Sequence, residues 1–139
     1  MKVLICIDHS SASEFILRES QKFLTSFPAA EIHIHYVQEV ALYSEFPAMN
    51  KTVGHIMEEE INSLTEKAKG MFPSSVQVSS SIGIPADNII DEVKKLNCDL
   101  LVLGTHGRTG FKRTILGSVA EKVIRHVDCK TLIIPVRSF

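Results

Sequence analysis

The chain has little charge of one sign: 15 Lys and Arg stand against 16 Asp and Glu, a formal net charge of -1. No global field of the kind a nucleic-acid or anionic-membrane binder carries is present, so a polyanionic partner is excluded as a first reading. Long apolar runs are missing too. The longest are strand-sized, far short of the ~18–20 residues of a membrane span, and only five apolar residues separate Lys2 from Asp8, too few for the core of a signal peptide. The expected location is the cytosol. Cysteine is scarce: Cys6, Cys98 and Cys129 are far apart, form no C-x-x-C, and are odd in number. That is a poor disulfide framework, and the three read as small buried apolar side chains rather than metal or redox groups.

What is present is enough for one domain. At 139 residues and 45% hydrophobic, a single core spanning 1–139 is expected to bury roughly two thirds of the unfolded surface. Val3 to Ile7 is a continuous apolar run ended by "DHSS", the pattern of a strand buried on both faces. Ser10 or Ser11 is placed to cap a helix with apolar positions Ala12, Phe15, Ile16 and Phe23, which Pro28 stops. Strand two is Glu31 to Val37. Gln38 to Asn50 lacks a clear period and has the length of a lid or binding loop, with room for a short helix. From Val53 the residues Ile56, Met57, Ile61, Leu64, Ala68 and Met71 recur at helical spacing until Pro73, and Val76 to Ile82 alternates as a third strand. Pro85 opens a helix with the stripe Ile89, Ile90, Val93 and Leu96. Asp99 to Gly104 is the fourth strand, Ser118 to Val127 the last helix, and Thr131 to Val136 the fifth strand.

Strands alternating with helices predict an α/β fold: a Rossmann-like open parallel sheet of five strands, order 3-2-1-4-5, with helices on both faces. The winding then reverses between strands one and four, and ligands bind at the carboxyl ends there. The two loops that meet at this crevice are "DHSS" and "GTHGRTGFKRTILGS", so Asp8 and the glycines become neighbours although about 100 residues apart.

Gly104, Gly107 and Gly110 give the backbone conformational freedom and close access to a ligand, and Gly117-Ser118 opens a helix whose free N–H groups favour an anion. The combination suits phosphate. It is neither a P-loop, since no G-x-x-x-x-G-K-[ST] exists, nor the dinucleotide G-x-G-x-x-G, which would follow strand one. The bland alternatives are a tight loop for the glycines, a turn or capping carboxylate for Asp8, and an N-cap for Ser118. His106 lies inside the cradle within reach of phosphate. Arg108 joins the candidate set, although loop charges such as Arg108, Lys112 and Arg113 are ordinarily solvated, and the glycine backbone works without them. His33 and His35 have the i, i+2 spacing of strand metal ligands but no third ligand placed by sequence, so packing or hydrogen bonding is the expectation.

The spacing Gly104, two residues, Gly107, nine residues, Gly117-Ser118 resembles the motif G-x-x-G-x9-G-[ST] of the ATP-binding universal stress proteins. The resemblance runs the length of the chain through "VLICIDHSSAS", "GIPADNIIDEV" and "DLLVLGTHGRTGFKRTILGSVAEKVIRHVDCKTLIIPV". It implies ATP or AMP as ligand, with Mg2+ or Mn2+ bridging the phosphates. By the same resemblance Asp8 holds the adenosine end and Val37 offers its main chain beside the adenine. Gly104, Gly107, Gly117, Ser118 and Val119 cradle phosphate and ribose, and Ile7 and Thr105 are the strand-end neighbours of these residues. Cys6 and His9 stand where many members have Pro and Gly, which gives the adenine-side loop a shape of its own.

No nucleophile–base pair, Walker-type lysine or second metal-binding carboxylate is evident, so the residues favour a nucleotide-dependent stress or signalling protein over a fast catalyst. Slow ATP hydrolysis or autophosphorylation in the same cleft, and a non-nucleotide binding module using the Gln38 to Asn50 loop, stay open. The fifth strand, "KTLIIPV", should lie at a sheet edge, where Leu132, Ile133 and Ile134 need cover. A homodimer pairing these strands antiparallel, limited by Pro135, is the expected solution, and the resemblance implies it as well.

Overall fold

The structure is a computed structural model that describes residues 1–8, 10–39, 50–72, 75–105 and 116–136, with backbone alone at 50–53. Its elements in chain order are β1 (Lys2–Ile7), α1 (Ala12–Leu24), β2 (Glu31–Glu39), α2 (Asn50–Met71), β3 (Val76–Gly83), α3 (Pro85–Leu96), β4 (Leu100–Gly104), α4 (Ser118–Ile124) and β5 (Lys130–Ile134). The five strands form one sheet in the order β3-β2-β1-β4-β5, and every pairing is parallel. This is the expected fold. β1 is central, which is why "VLICI" has no polar alternation: both faces are covered, and Val3, Leu4 and Ile5 are wholly buried. Each such aliphatic side chain contributes roughly 1.5–3 kcal/mol of burial free energy.

The alternation of β1 divides the core in two. Val3, Ile5 and Ile7 face one layer with Ile16, Leu17 and Leu24 of α1 and Ala68 of α2. Leu4 and Cys6 face the other with Ile89, Ile90 and Val93 of α3 and Ala120 and Val123 of α4. The helices therefore cover both faces. Within each layer an ion pair joins the two helices: Lys67 of α2 meets Glu14 of α1 at 3.0 Å, and Lys122 of α4 meets Asp87 of α3 at 2.8 Å. The Lys67 ammonium holds the Glu14 carboxyl below its ordinary pKa.

Several boundaries and faces differ from the sequence reading. Neither Ser10 nor Ser11 caps α1 through its hydroxyl; Ser11 is the N-cap without a side-chain bond, and the Ser10 hydroxyl is buried without a partner. Phe23 is 41% exposed, stacked at 5.5 Å on Phe27, while Leu17, Ser20 and Leu24 turn inward instead. Ile56 is likewise exposed rather than part of the buried stripe of α2. β2 runs on to Glu39 because β3 accompanies it to that level, pairing Gln38 with Ile82 and Glu39 with Gly83. α4 ends at Ile124, its last N–H groups closing a turn on Val123. β5 stops at Ile134, since Pro135 has no N–H to give the ladder and Val136 turns its N–H to Thr105 Oγ1 at 3.0 Å. Among the described residues no helix is long and apolar enough to cross a membrane.

Leu101→Ala empties a wholly buried site between the layers and is expected to cost about 2–5 kcal/mol in urea unfolding. Phe23→Ala should cost well under half of that; equal losses would return Phe23 to the core stripe.

Candidate functional site

At the carboxyl ends of β1 and β4 the sheet opens into a cavity of about 370 Å³. Ile7 and Asp8 line it from the end of β1, Val37, Gln38 and Glu39 from β2, Gly104 and Thr105 from β4, and Gly117, Ser118 and Val119 from the start of α4. Eight candidate residues therefore meet on one cavity: Ile7, Asp8, Val37, Gly104, Thr105, Gly117, Ser118 and Val119. His106, Gly107 and Arg108 lie outside the described residues, as do Gly110, Lys112 and Arg113.

Asp8 is held by the loop it helps to build. Its Oδ1 accepts the Ser10 N–H at 2.8 Å, its carbonyl accepts the Ser13 hydroxyl at 2.6 Å, and its own N–H donates to Ser13 Oγ at 3.3 Å. The turn-making role is real. Among the described residues, however, the hydrogen bonds to this carboxylate all fall on Oδ1, leaving Oδ2 to accept from a ligand.

On the far side, Thr105 fastens three elements. Its N–H donates to the Ile134 carbonyl at 3.1 Å, its Oγ1 accepts the Val136 N–H at 3.0 Å, and its carbonyl accepts the Gly117 N–H at 3.0 Å. The last contact explains Gly117. A Cβ there would lie 2.4 Å from the Thr105 carbonyl oxygen, closer than any side chain is tolerated. A Cβ on Gly104 would meet Ile16 Cδ1 at 2.5 Å, the tip of a side chain. The expectation of conformational freedom is corrected for Gly104, which does not have a positive φ; at Gly117, with φ -58°, close approach to backbone likewise requires the missing side chain. Ser118 is corrected as well. Gly117 is the N-cap and Ser118 the first helical residue, so the exposed Ser118 hydroxyl makes no capping bond and is available to a ligand.

Gln38 was not singled out by sequence, because its position read as the start of a loop. It is 3% exposed, it lines the cavity, and its Oε1 has no hydrogen-bond partner among the described residues. A buried orphan acceptor costs about 1–3 kcal/mol, and a donor arriving in the cavity relieves that cost. Among the described residues the lining carries the carboxylates of Asp8 and Glu39 and no Lys or Arg. The polar end that accepts hydrogen bonds and the Gly117–Ser118 end that donates them are thus separated across the cavity.

Both strand histidines are engaged in hydrogen bonds. His33 Nε2 pairs with Glu31 at 3.0 Å; His35 Nδ1 bonds Ser79 Oγ at 2.7 Å and its Nε2 bonds Ser81 Oγ at 2.8 Å. Burial lowers the His35 pKa, which keeps the ring neutral, with one nitrogen donating and the other accepting. Among the described residues no three His, Cys, Asp or Glu side chains gather to hold a metal ion.

The profile of the universal stress protein family matches residues 1–135. The chain belongs to that family. Universal stress protein MJ0531 of Methanocaldococcus jannaschii is 31% identical over 138 residues, covering 96% of this chain and 81% of that protein. The solved structure of MJ0577 from the same organism shares the fold with a TM-score of 0.81 at 24% identity, covering 99% of this chain and 97% of that one. A universal stress protein solved in complex with cAMP superimposes with a TM-score of 0.69 at 20% identity over 97% of this chain and 96% of that one.

Gly117→Ala drives a methyl group into backbone and is expected to lose roughly 1–3 kcal/mol of stability. Gly104→Ala displaces only the end of Ile16 and should lose less, the two compared by urea midpoint; the opposite ranking would contradict the packing described.

Proposed function

We propose that this protein binds ATP or AMP in the cavity between the ends of β1 and β4 and acts through its nucleotide state as a stress-response or signalling protein of the cytoplasm. The observation that carries the reading is that Asp8 and the Gly117–Ser118 pair, far apart in sequence, line one cavity of nucleotide size. The orphan Gln38 Oε1 fits the same ligand, because a nucleobase amino group or a ribose hydroxyl supplies the donor it lacks whereas free phosphate does not. The cAMP complex of a family neighbour supports the ligand class.

In this reading the nucleoside lies on the β1–β2 side. Asp8 Oδ2 accepts from the ribose, and the Val37 main chain faces the base. The phosphates lie toward Gly117, Ser118 and Val119, where backbone N–H groups and the Ser118 hydroxyl donate. Gly104 and Thr105 wall the cradle, and His106, Gly107 and Arg108 are assigned to the same ligand by their place in the glycine motif. A divalent Mg2+ or Mn2+ accompanying the nucleotide would supply positive charge to the phosphates, and the Ser118 hydroxyl on the cavity lining would be the side-chain oxygen beside them to help hold it.

The edge position of β5 also supports the homodimer. β5 pairs with β4 alone, and Leu132 and Ile133 are left only partly buried. A second copy paired antiparallel across a two-fold axis covers both the apolar side chains and the free backbone groups.

Calorimetric titration of ATP and adenosine tests the orientation. Asp8→Asn retains an acceptor for the Ser10 N–H but loses the charge, and should weaken both ligands by about 1.5–3 kcal/mol. Ser118→Ala should weaken ATP by roughly 0.5–1.5 kcal/mol and leave adenosine nearly unchanged. A Ser118 variant that loses adenosine equally, or an Asp8 variant that spares it, reverses the orientation; no heat with either ligand on the parent protein ends the nucleotide reading. For assembly, light scattering at micromolar concentration should give a dimer, and Ile133→Lys should shift it toward monomer. A monomeric mass for the parent removes the β5 interface.

A further inference from the structure

Cys98 and Cys129 lie outside the cavity and come together through the register of the sheet. Leu100 of β4 pairs with Lys130 of β5, so Cys129 falls beside Asp99 with Cys98 diagonal to it, and the two sulfurs stand 3.9 Å apart. Cys98 follows Asn97, the left-handed residue at φ 50° that ends α3, and its N–H returns to the Val93 carbonyl at 3.4 Å, which pins its backbone. A disulfide needs the sulfurs at about 2.05 Å, a closure that side-chain rotation achieves when the backbones already run alongside. The two thiols are unequally accessible: Cys98 is 7% exposed and Cys129 is partly open to solvent. The expectation that all three cysteines are buried is therefore corrected at Cys129, which is partly exposed.

We propose that Cys98 and Cys129 form a reversible dithiol–disulfide site that takes hydroperoxides, with Cys129 oxidised first and Cys98 as the resolving thiol. The Cys129 sulfur, as thiolate, attacks one peroxide oxygen; an S–O bond forms, the O–O bond breaks, and the departing hydroxide or alkoxide takes up the proton the thiol released. Cys129 is then a sulfenic acid. The Cys98 sulfur attacks the Cys129 sulfur, forming S–S and breaking S–O, and the hydroxide that leaves carries off the Cys98 proton as water. Two thiols are oxidised by two electrons, and one hydroperoxide is reduced to water and an alcohol, or to two waters from hydrogen peroxide. A dithiol reductant reverses the bond by exchange.

The order of roles follows from the surroundings. Burial and the facing Cys129 thiol push the Cys98 pKa up to about 12, so at neutral pH Cys98 stays a protonated thiol until a sulfenic sulfur is presented to it. Cys6 serves as an internal control. It is buried in the α3–α4 layer, its pKa is raised well above the ordinary value by burial first and then by the charges of Cys98, Glu92 and Cys129, and the sulfur contact of the pair does not include it.

The test treats the reduced protein with a small excess of hydrogen peroxide, quenches with catalase, and counts thiols under denaturing conditions. The count should fall from three to one, the intact mass should drop by about 2 Da, and peptide mapping should link Cys98 to Cys129 within one chain, all restored by dithiothreitol. The closed loop should raise Tm by roughly 5–10 °C over the reduced protein. In Cys98→Ser, Cys129 should halt as a dimedone-reactive sulfenic acid; in Cys129→Ser, Cys98 should stay unmodified at the same dose. Three surviving thiols, over-oxidation of Cys129 without a cross-link, or a bond formed only between chains would overturn the proposal.

Discussion

The Thr105 carbonyl oxygen is the point on which the cavity depends. It accepts the Gly117 N–H at 3.0 Å and lies where a Gly117 Cβ would have to stand. The same residue holds β5 through its N–H and its hydroxyl, so β4, β5 and the entry to α4 converge on one set of backbone and side-chain groups. Each hydrogen bond is worth a net 0.5–1.5 kcal/mol, too little to hold a helix in place alone. Three made by a single residue act together, because opening any one of them requires Thr105 to move against the other two. The position of Gly117 and Ser118 opposite Asp8 is thus a consequence of backbone contact, set before any ligand arrives.

That geometry sorts the polar groups of the cavity by kind. Carboxylates and the Gln38 carbonyl, which accept, lie on the β1–β2 side; N–H groups and the Ser118 hydroxyl, which donate, lie at the start of α4. A ligand with donors at one end and acceptors at the other satisfies both sides in one orientation only. A carboxylate that must also shape a turn divides its oxygens between the two tasks, as Asp8 does.

The strands were legible in the sequence because two-sided burial leaves an uninterrupted apolar run, and "VLICI" and "LLVLG" admit no other placement. Parallel strands joined by helices then gave the order and, with it, the meeting of Asp8 with Gly117. Helix faces were less legible. In α1 the apolar residues fit more than one 3.6-residue stripe, and packing against the sheet selected the one containing Leu17, Ser20 and Leu24, with the Ser20 hydroxyl satisfied by the Ile16 carbonyl at 2.7 Å. Phe23 was left outside. Gln38 was hidden for a different reason: a polar residue at a strand end looks like the start of a loop, and only the continuation of β2 beside β3 shows that it is enclosed. The glycine motif was visible, but sequence cannot separate a glycine needed for its φ from one needed because a carbonyl occupies the place of its Cβ.

β4 connects the two ends of the molecule. Its carboxyl end carries Gly104 and Thr105 into the cavity, and its amino end follows Cys98 and Asp99, whose carboxylate accepts the Lys2 N–H at 2.7 Å. Leu100 to Leu103 are buried, and Leu100 to Val102 are paired on both sides, by β1 and by β5, so the strand has little freedom to shift along its axis. Of the two neighbours of β4, β5 is the one with no strand on its other side among the described residues. Its start bears Cys129, its last residue Ile134 accepts the Thr105 N–H, and its outer edge is the face that a second copy would cover. The element that anchors the glycine side of the cavity is also the least supported strand on that side of the sheet, so whatever braces β5, whether a partner strand or a covalent link at its base, also steadies the cavity.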